Sequence, residues 1–102
     1  MSKISLSDIT KGQKAEEVSA ILKFMAHPMR LKLLCALVEG ERSVLDLAEI
    51  CDAHQVAISQ ALAKMKQDSI VECRREAQFM FYRISDPRIT ELVGAMSRIF
   101  CE

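Results

Sequence analysis

SVLDLAEICDAHQVAISQALAKMKQ, residues 43–67, is the stretch whose reading decides the fold. Ser43 is a helix-capping residue type, with Asp46 three positions on in a near capping-box arrangement. Val44, Leu47, Ala48 and Ile50 then recur at helical spacing and face inward. Asp52-Ala53-His54 makes a tight break. A second helix follows from Gln55 to Gln67, with Val56, Ile58, Leu62 and Met65 apolar and Gln55, Ser59, Gln60, Lys64 and Lys66 polar. A short helix, a tight break and a second helix with a polar exposed face predict a helix-turn-helix.

The flanking sequence completes the picture. Downstream of Asp68-Ser69 the periodicity changes. Ile70–Arg74 and Phe79–Ile84 are short β-prone runs on either side of a charged tip, Arg75-Glu76-Ala77-Gln78. That predicts a hairpin, placed as a wing. Asp86-Pro87 starts a last helix, whose Ile89, Leu92, Val93, Met96, Ile99 and Phe100 form a continuous apolar stripe. Upstream, Ala15, Val18, Ile21, Leu22 and Met25 fall at helical spacing between Gln13 and Met25. Pro28 suits the first turn of a second helix that runs to about Glu39 and stops at Gly40. The Leu33–Val38 stretch of that helix is apolar all round and is expected to be a buried centre. The fold class is therefore mainly α with a β-hairpin wing, in the order α-α-α-α-β-β-α. Residues 1–12 are expected to be a flexible arm, and residues 13–102 one winged-helix domain.

Composition excludes several classes. The chain has 102 residues, half of them apolar, which suits one compact domain. Disorder is not compatible with that apolar content. There is no apolar run long enough for a membrane span, and no charged-then-apolar leader at Met1–Thr10, so a cytoplasmic location without membrane partners is expected. Four Cys outside a secretory context suit a reducing compartment. No nucleophile–base pair at meaningful spacing and no Gly-rich phosphate loop is present, so no enzyme activity and no cofactor are expected.

The formal net charge is zero, yet its distribution is uneven. Residues 54–85 carry Lys64, Lys66, Arg74, Arg75 and Arg83 against Asp68, Glu72 and Glu76, a net of +2, whereas residues 27–53 carry a net of −2. The positive charge sits on the second helix of the motif and on the wing, where phosphates would be met. Gln55, Ser59 and Gln60 occupy the first turns of that helix, the positions that reach base edges in a major groove. Val56, Lys64, Arg74, Arg75 and Gln78 complete the candidate DNA-contacting set. The competing readings are a solvated helix face and an ordinary charged hairpin tip. The two features in this order favour double-stranded DNA.

The stretch LKFMAHPMRLKLLCALVEGERSVLDLAEICDAHQVAISQALAKMKQDSIVECRREAQFMFYRIS resembles the ArsR/SmtB family of winged-helix repressors, and the resemblance extends from Val18 to Phe100. The family pattern Leu-Ser-Gln-Ser-Ala-Val-Ser-Gln-His-Leu stands here as Ala53-His54-Gln55-Val56-Ala57-Ile58-Ser59-Gln60-Ala61-Leu62. Gln55, Ser59 and Gln60 match. Val56 replaces a usual Ser and Ala61 a usual His, so the operator sequence is not inherited. The resemblance implies a homodimer through the first and last helices, presenting two recognition helices to a palindromic operator.

The family's effector sites differ between branches. The thiolate arsenic pattern Cys-x-Cys is absent from Ser43–Leu47, and the last-helix zinc pattern is absent after Asp86-Pro87-Arg88. His27 and His54 stand beside helix starts, where capping is the simpler role, because a zinc site needs three or four converging ligands. Cys35, taken alone, reads as a small core hydrophobe. Leu33-Leu34-Cys35-Ala36-Leu37 together with Ile99-Phe100-Cys101, however, resembles the sulfide- and redox-responsive SqrR/BigR/HlyU branch. That resemblance implies a Cys35/Cys101 dithiol switched by a reactive sulfur species or an oxidant. Cys51 and Cys73 fall outside the pattern and read as structural. The expected function is thus a homodimeric repressor whose operator binding responds to Cys35/Cys101 chemistry. The alternatives are a metal or metalloid sensor with an unusual Cys site, and an interaction module that has lost DNA binding.

Overall fold

The computed structural model describes Thr10, Gly12 and residues 14–101. Apart from Thr10 and Gly12, the expected arm over residues 1–12 lies outside the described residues. Among the described residues five helices and three strands follow one another from Lys14 on: α1 (Lys14–Met25), α2 (Pro28–Leu37), β1 (Arg42–Ser43), α3 (Val44–Cys51), α4 (Gln55–Gln67), β2 (Val71–Glu76), β3 (Phe79–Ile84) and α5 (Pro87–Phe100). This is a winged helix-turn-helix.

Local chemistry sets the helix starts. His27 is extended, and its Nδ1 accepts a hydrogen bond from the Met29 amide at 3.2 Å, with Pro28 at the first helical position. The Ser43 hydroxyl accepts from the Asp46 amide at 3.1 Å. The Asp86 carboxylate accepts from the Arg88 amide at 2.9 Å, again followed by a proline. Helix α2 ends at Leu37, two residues before the expected Glu39. The chain turns there, Gly40 donates to the Leu37 carbonyl at 3.1 Å, and its φ of +144° is one that side chains rarely adopt. Helix α3 ends where Asp52 takes a left-handed conformation, φ 52°.

The core is a single cluster in which Leu33, Leu34, Leu47, Ile58, Leu62 and Val93 are fully buried. The expectation that α2 is buried all round is corrected. Leu33, Leu34 and Leu37 point inward, but Leu31 and Cys35 are exposed. Leu31 and Cys35 are four residues apart, so they share the face turned away from the core. Helix α2 packs against α1, α3, α5 and β3, and that face is the one they leave open.

The sheet has three antiparallel strands in the order β1-β3-β2, not the two strands expected. Strand β1 is too short to leave a period in the sequence. It pairs Arg42 with Tyr82 and Ser43 with Phe81, so Ser43 both closes the sheet and caps α3. The wing is longer than the sequence suggested. Strand β2 continues through Arg75 and Glu76, the ladder closes at Glu76↔Phe79, and only Ala77 and Gln78 turn the chain, with Ala77 at φ 58°. The charged residues read as a loop tip are strand residues because both faces of the outer hairpin are exposed, so alternation carries no signal there.

Candidate nucleic-acid interface

Helix α4 is held by Ile58, Leu62 and Met65, each fully buried. With about 100° between successive residues, that anchoring fixes what the rest of the helix presents. Val56, Gln60 and Ala63 form the ridge opposite the buried stripe, and all three are exposed. Gln55 and Ser59 lie to one side of that ridge. They line an open hollow of about 330 Å³ with Leu45 of α3 and Gln78, Phe79 and Met80 of the wing. Lys64 is exposed one turn beyond Gln60. Within the described residues no side-chain hydrogen bond engages Gln55, Ser59 or Gln60, so their polar groups are available to an external partner. The turn before α4 leaves the helix start open as well, because His54 makes no side-chain cap.

The wing separates its cations into two kinds. Arg74 grips Glu41 with two bonds of 2.8 Å, from Nε and Nη2, and reaches Glu76 at 2.6 Å. Its guanidinium also lies 4.8 Å from the Phe81 ring centroid. The Arg74 hydrogen bond holds the Glu41 carboxyl below the usual range, and the two carboxylates raise Arg74 in turn. Arg83 is paired with Glu72 at 2.9 Å. Arg75 differs. Its Nε donates to the Ala77 carbonyl at 3.2 Å, which braces the side chain at the tip, and no carboxylate among the described residues pairs with it. Of the two arginines expected to meet phosphate, Arg74 is thus already neutralised within the fold and Arg75 is not. Glu41, which determines that difference, was not singled out in the sequence. It is 33 residues from Arg74 and nothing local marks the pair.

All four cysteines are free thiols. Cys35 is exposed on α2, against the expectation for that residue alone, and Cys101 is exposed just beyond the last turn of α5, where its amide donates to Ser97 at 2.8 Å. Helices α2 and α5 pack against each other. Cys35 also shares an open, mainly apolar groove of about 690 Å³ between α2 and α3 with Leu31, Ile50 and Cys51. Cys51 itself is buried, and burial pushes its thiol up, partly countered by the Lys32 charge. Cys73 is half-buried in β2 opposite Tyr82, whose hydroxyl is likewise raised by burial. Among the described residues no three His, Cys, Asp or Glu side chains converge as a metal cluster would require, and His27 serves as a cap. No helix among them is long and apolar enough to cross a membrane.

Comparison with known proteins places this geometry. Residues 27–72 match the family described as "Bacterial regulatory protein, arsR family". The chain is 42% identical over 89 residues to the biofilm growth-associated repressor of Xylella fastidiosa, covering 87% of this chain and 78% of the relative. The crystal structure of the transcriptional repressor BigR from Xylella fastidiosa superposes with a TM-score of 0.87 at 39% identity, covering 97% of this chain and 99% of that one. A homodimeric winged helix-turn-helix DNA-binding domain from Mycobacterium bovis, solved by NMR, superposes with a TM-score of 0.72 at 26% identity, covering 97% and 89% of the two chains.

Proposed function

The chain belongs to the ArsR family of bacterial regulatory proteins, on its BigR-type branch, and from that premise we propose a homodimeric transcriptional repressor whose hold on operator DNA is released by chemistry at Cys35 and Cys101. The observation that carries the DNA-binding reading is the outward first turn of α4. Three fully buried residues fix its orientation, its glutamines and serine have no side-chain hydrogen bond among the described residues, and a braced Arg75 that none of their carboxylates pairs stands on the wing beside it. Gln55, Val56, Ser59 and Gln60 read base edges, while Lys64, Arg75 and the wing-tip Gln78 contact the backbone. Such a protein works where the DNA is, in the cytoplasm.

Dimerisation uses α1 and α5. Val18 and Leu22 of α1 are 37% and 46% exposed, and Ile99 and Phe100 of α5 are 70% and 81% exposed. Apolar surface of that extent on helices bracketing the domain marks an interface. Light scattering is expected to give twice the monomer mass of 11.5 kDa at micromolar concentration, and a mass of 11.5 kDa rules the dimer out.

What supports the switch is that both thiols are exposed and that the helices carrying them, α2 and α5, pack against each other. With a persulfide or polysulfide as oxidant, each cysteine thiolate takes a sulfane sulfur and expels the shortened thiolate. The Cys35 persulfide anion then displaces hydrosulfide from the Cys101 persulfide, leaving a trisulfide between the two. With peroxide, one thiolate attacks oxygen and expels hydroxide to give a sulfenic acid, and the second thiolate displaces hydroxide from it to form a disulfide. Either bridge ties the dimer helix α5 to α2, which packs on the helix-turn-helix. A coupling of about 1–3 kcal/mol is typical of such a link. Intact mass spectrometry alongside DNA binding tests it. Cys35→Ser and Cys101→Ser are expected to bind DNA whether or not persulfide is added, and Cys51→Ser and Cys73→Ser to keep the response. Release of DNA by the persulfide-treated Cys101→Ser protein overturns the two-thiol mechanism.

A further inference from the structure

The exposed ridge of α4 carries an anomaly. Its first-turn member, Val56, is a branched hydrocarbon left 67% exposed, pointing directly away from Ile58, Leu62 and Met65 and flanked by the polar side chains of Gln55, Ser59 and Gln60. It has no role in the core and makes no contribution to the apolar surface of α1 and α5. We propose that Val56 reads the C5-methyl group of a thymine in the major groove, giving each half of the operator one position where thymine is favoured. The inference rests on the reading that α4 enters that groove.

The chemistry selects thymine. An isopropyl group has neither donor nor acceptor. Set against guanine, adenine or cytosine it would strip water from N7, O6 or an exocyclic amine and return nothing. Thymine alone presents an apolar group on that edge. Position matters equally. N-terminal residues of a recognition helix reach deepest toward the bases, and Val56 is the second residue of α4 on the ridge farthest from the core. Ala63, two turns along the same ridge, is too short and too distant from the helix start to substitute for it. Gln55 and Gln60 on either side supply the hydrogen bonds that fix register, so the methyl contact adds discrimination to a helix already placed.

The test starts from a randomised duplex library selected with the full-length protein and with Val56→Ser. In the duplex enriched by the wild-type chain, thymines of each half-site are replaced one at a time by uracil, which lacks only the methyl. The same positions are also compared as cytosine and 5-methylcytosine. The expected result is one position per half-site where uracil binds about fourfold more weakly than thymine, and where 5-methylcytosine recovers about the same factor over cytosine. Both differences should vanish for Val56→Ser, whose thermal unfolding should match the wild type because the side chain is solvent-exposed. Equal binding of thymine and uracil at every position, or methyl dependence that survives Val56→Ser, overturns the assignment while leaving DNA recognition intact. Failure of the wild-type protein to enrich any sequence overturns sequence-specific recognition and this inference with it.

Discussion

Replacing Arg75 by alanine tests the proposed phosphate contact at the wing. Its guanidinium is braced by one bond to the Ala77 carbonyl and otherwise points outward, whereas Arg74, one residue before it, is held by Glu41 and Glu76. Each phosphate neutralised by a protein cation contributes about 0.9 to the slope of log affinity against log salt. The proposed dimer presents two wings, so Arg75→Ala should flatten the slope by about 1.8. Taking 1 M salt as the reference where counterion release vanishes, that corresponds to roughly sixtyfold weaker binding at 0.1 M. The loss should be the same on random and selected sequences, because phosphate contacts carry no sequence information. Fluorescence anisotropy on a labelled random duplex across a salt series measures it. The matched control is the double variant Glu41→Gln with Arg74→Gln, which removes the internal clamp without changing net charge and should leave the slope as it was. An unchanged slope for Arg75→Ala, or a flattened one for the control, refutes the division of labour between the two arginines.

Leu62→Ala, which empties a fully buried position under α4, should lower stability by about 2–5 kcal/mol in urea unfolding and weaken all DNA binding; a change below 1 kcal/mol would show that α4 is not anchored there. Asp86 has its carboxyl held below the usual range by bonds from the Arg88 side chain and amide. A depressed folded-state value stabilises above the unfolded value and the benefit disappears as pH falls through the folded one. Asp86→Asn should therefore melt below the wild type at pH 7, with the gap closing under acid conditions; a gap independent of pH would assign the loss to the cap alone. Native alkylation followed by peptide mapping should label Cys35 and Cys101 well before Cys51, which is buried and has a raised thiol. Labelling of Cys51 at the same rate would contradict its burial.

The helix-turn-helix was legible in the chain because its signals are local. Ser43 with Asp46, the Asp52–His54 break, and the 3.6-residue recurrence of Ile58, Leu62 and Met65 act over a few residues, and α4 spans Gln55–Gln67 as read from the chain. The change of period after Ser69 marked the wing, and the family resemblance was carried by the stretch from Leu22 to Ser85 around the same motif. Tertiary structure decided what depends on distant partners. Strand β1 exists only because β3 offers it a ladder, and the hairpin runs to Glu76 only because Phe79 pairs with it. Cys35 looked like core in an unbroken apolar run, but the elements that pack on α2 cover its other faces and leave Leu31 and Cys35 exposed. The two wing arginines are adjacent and chemically identical in the sequence. Glu41 arrives across the sheet to neutralise one of them, and charge pairing over such a span is a property of the folded chain alone.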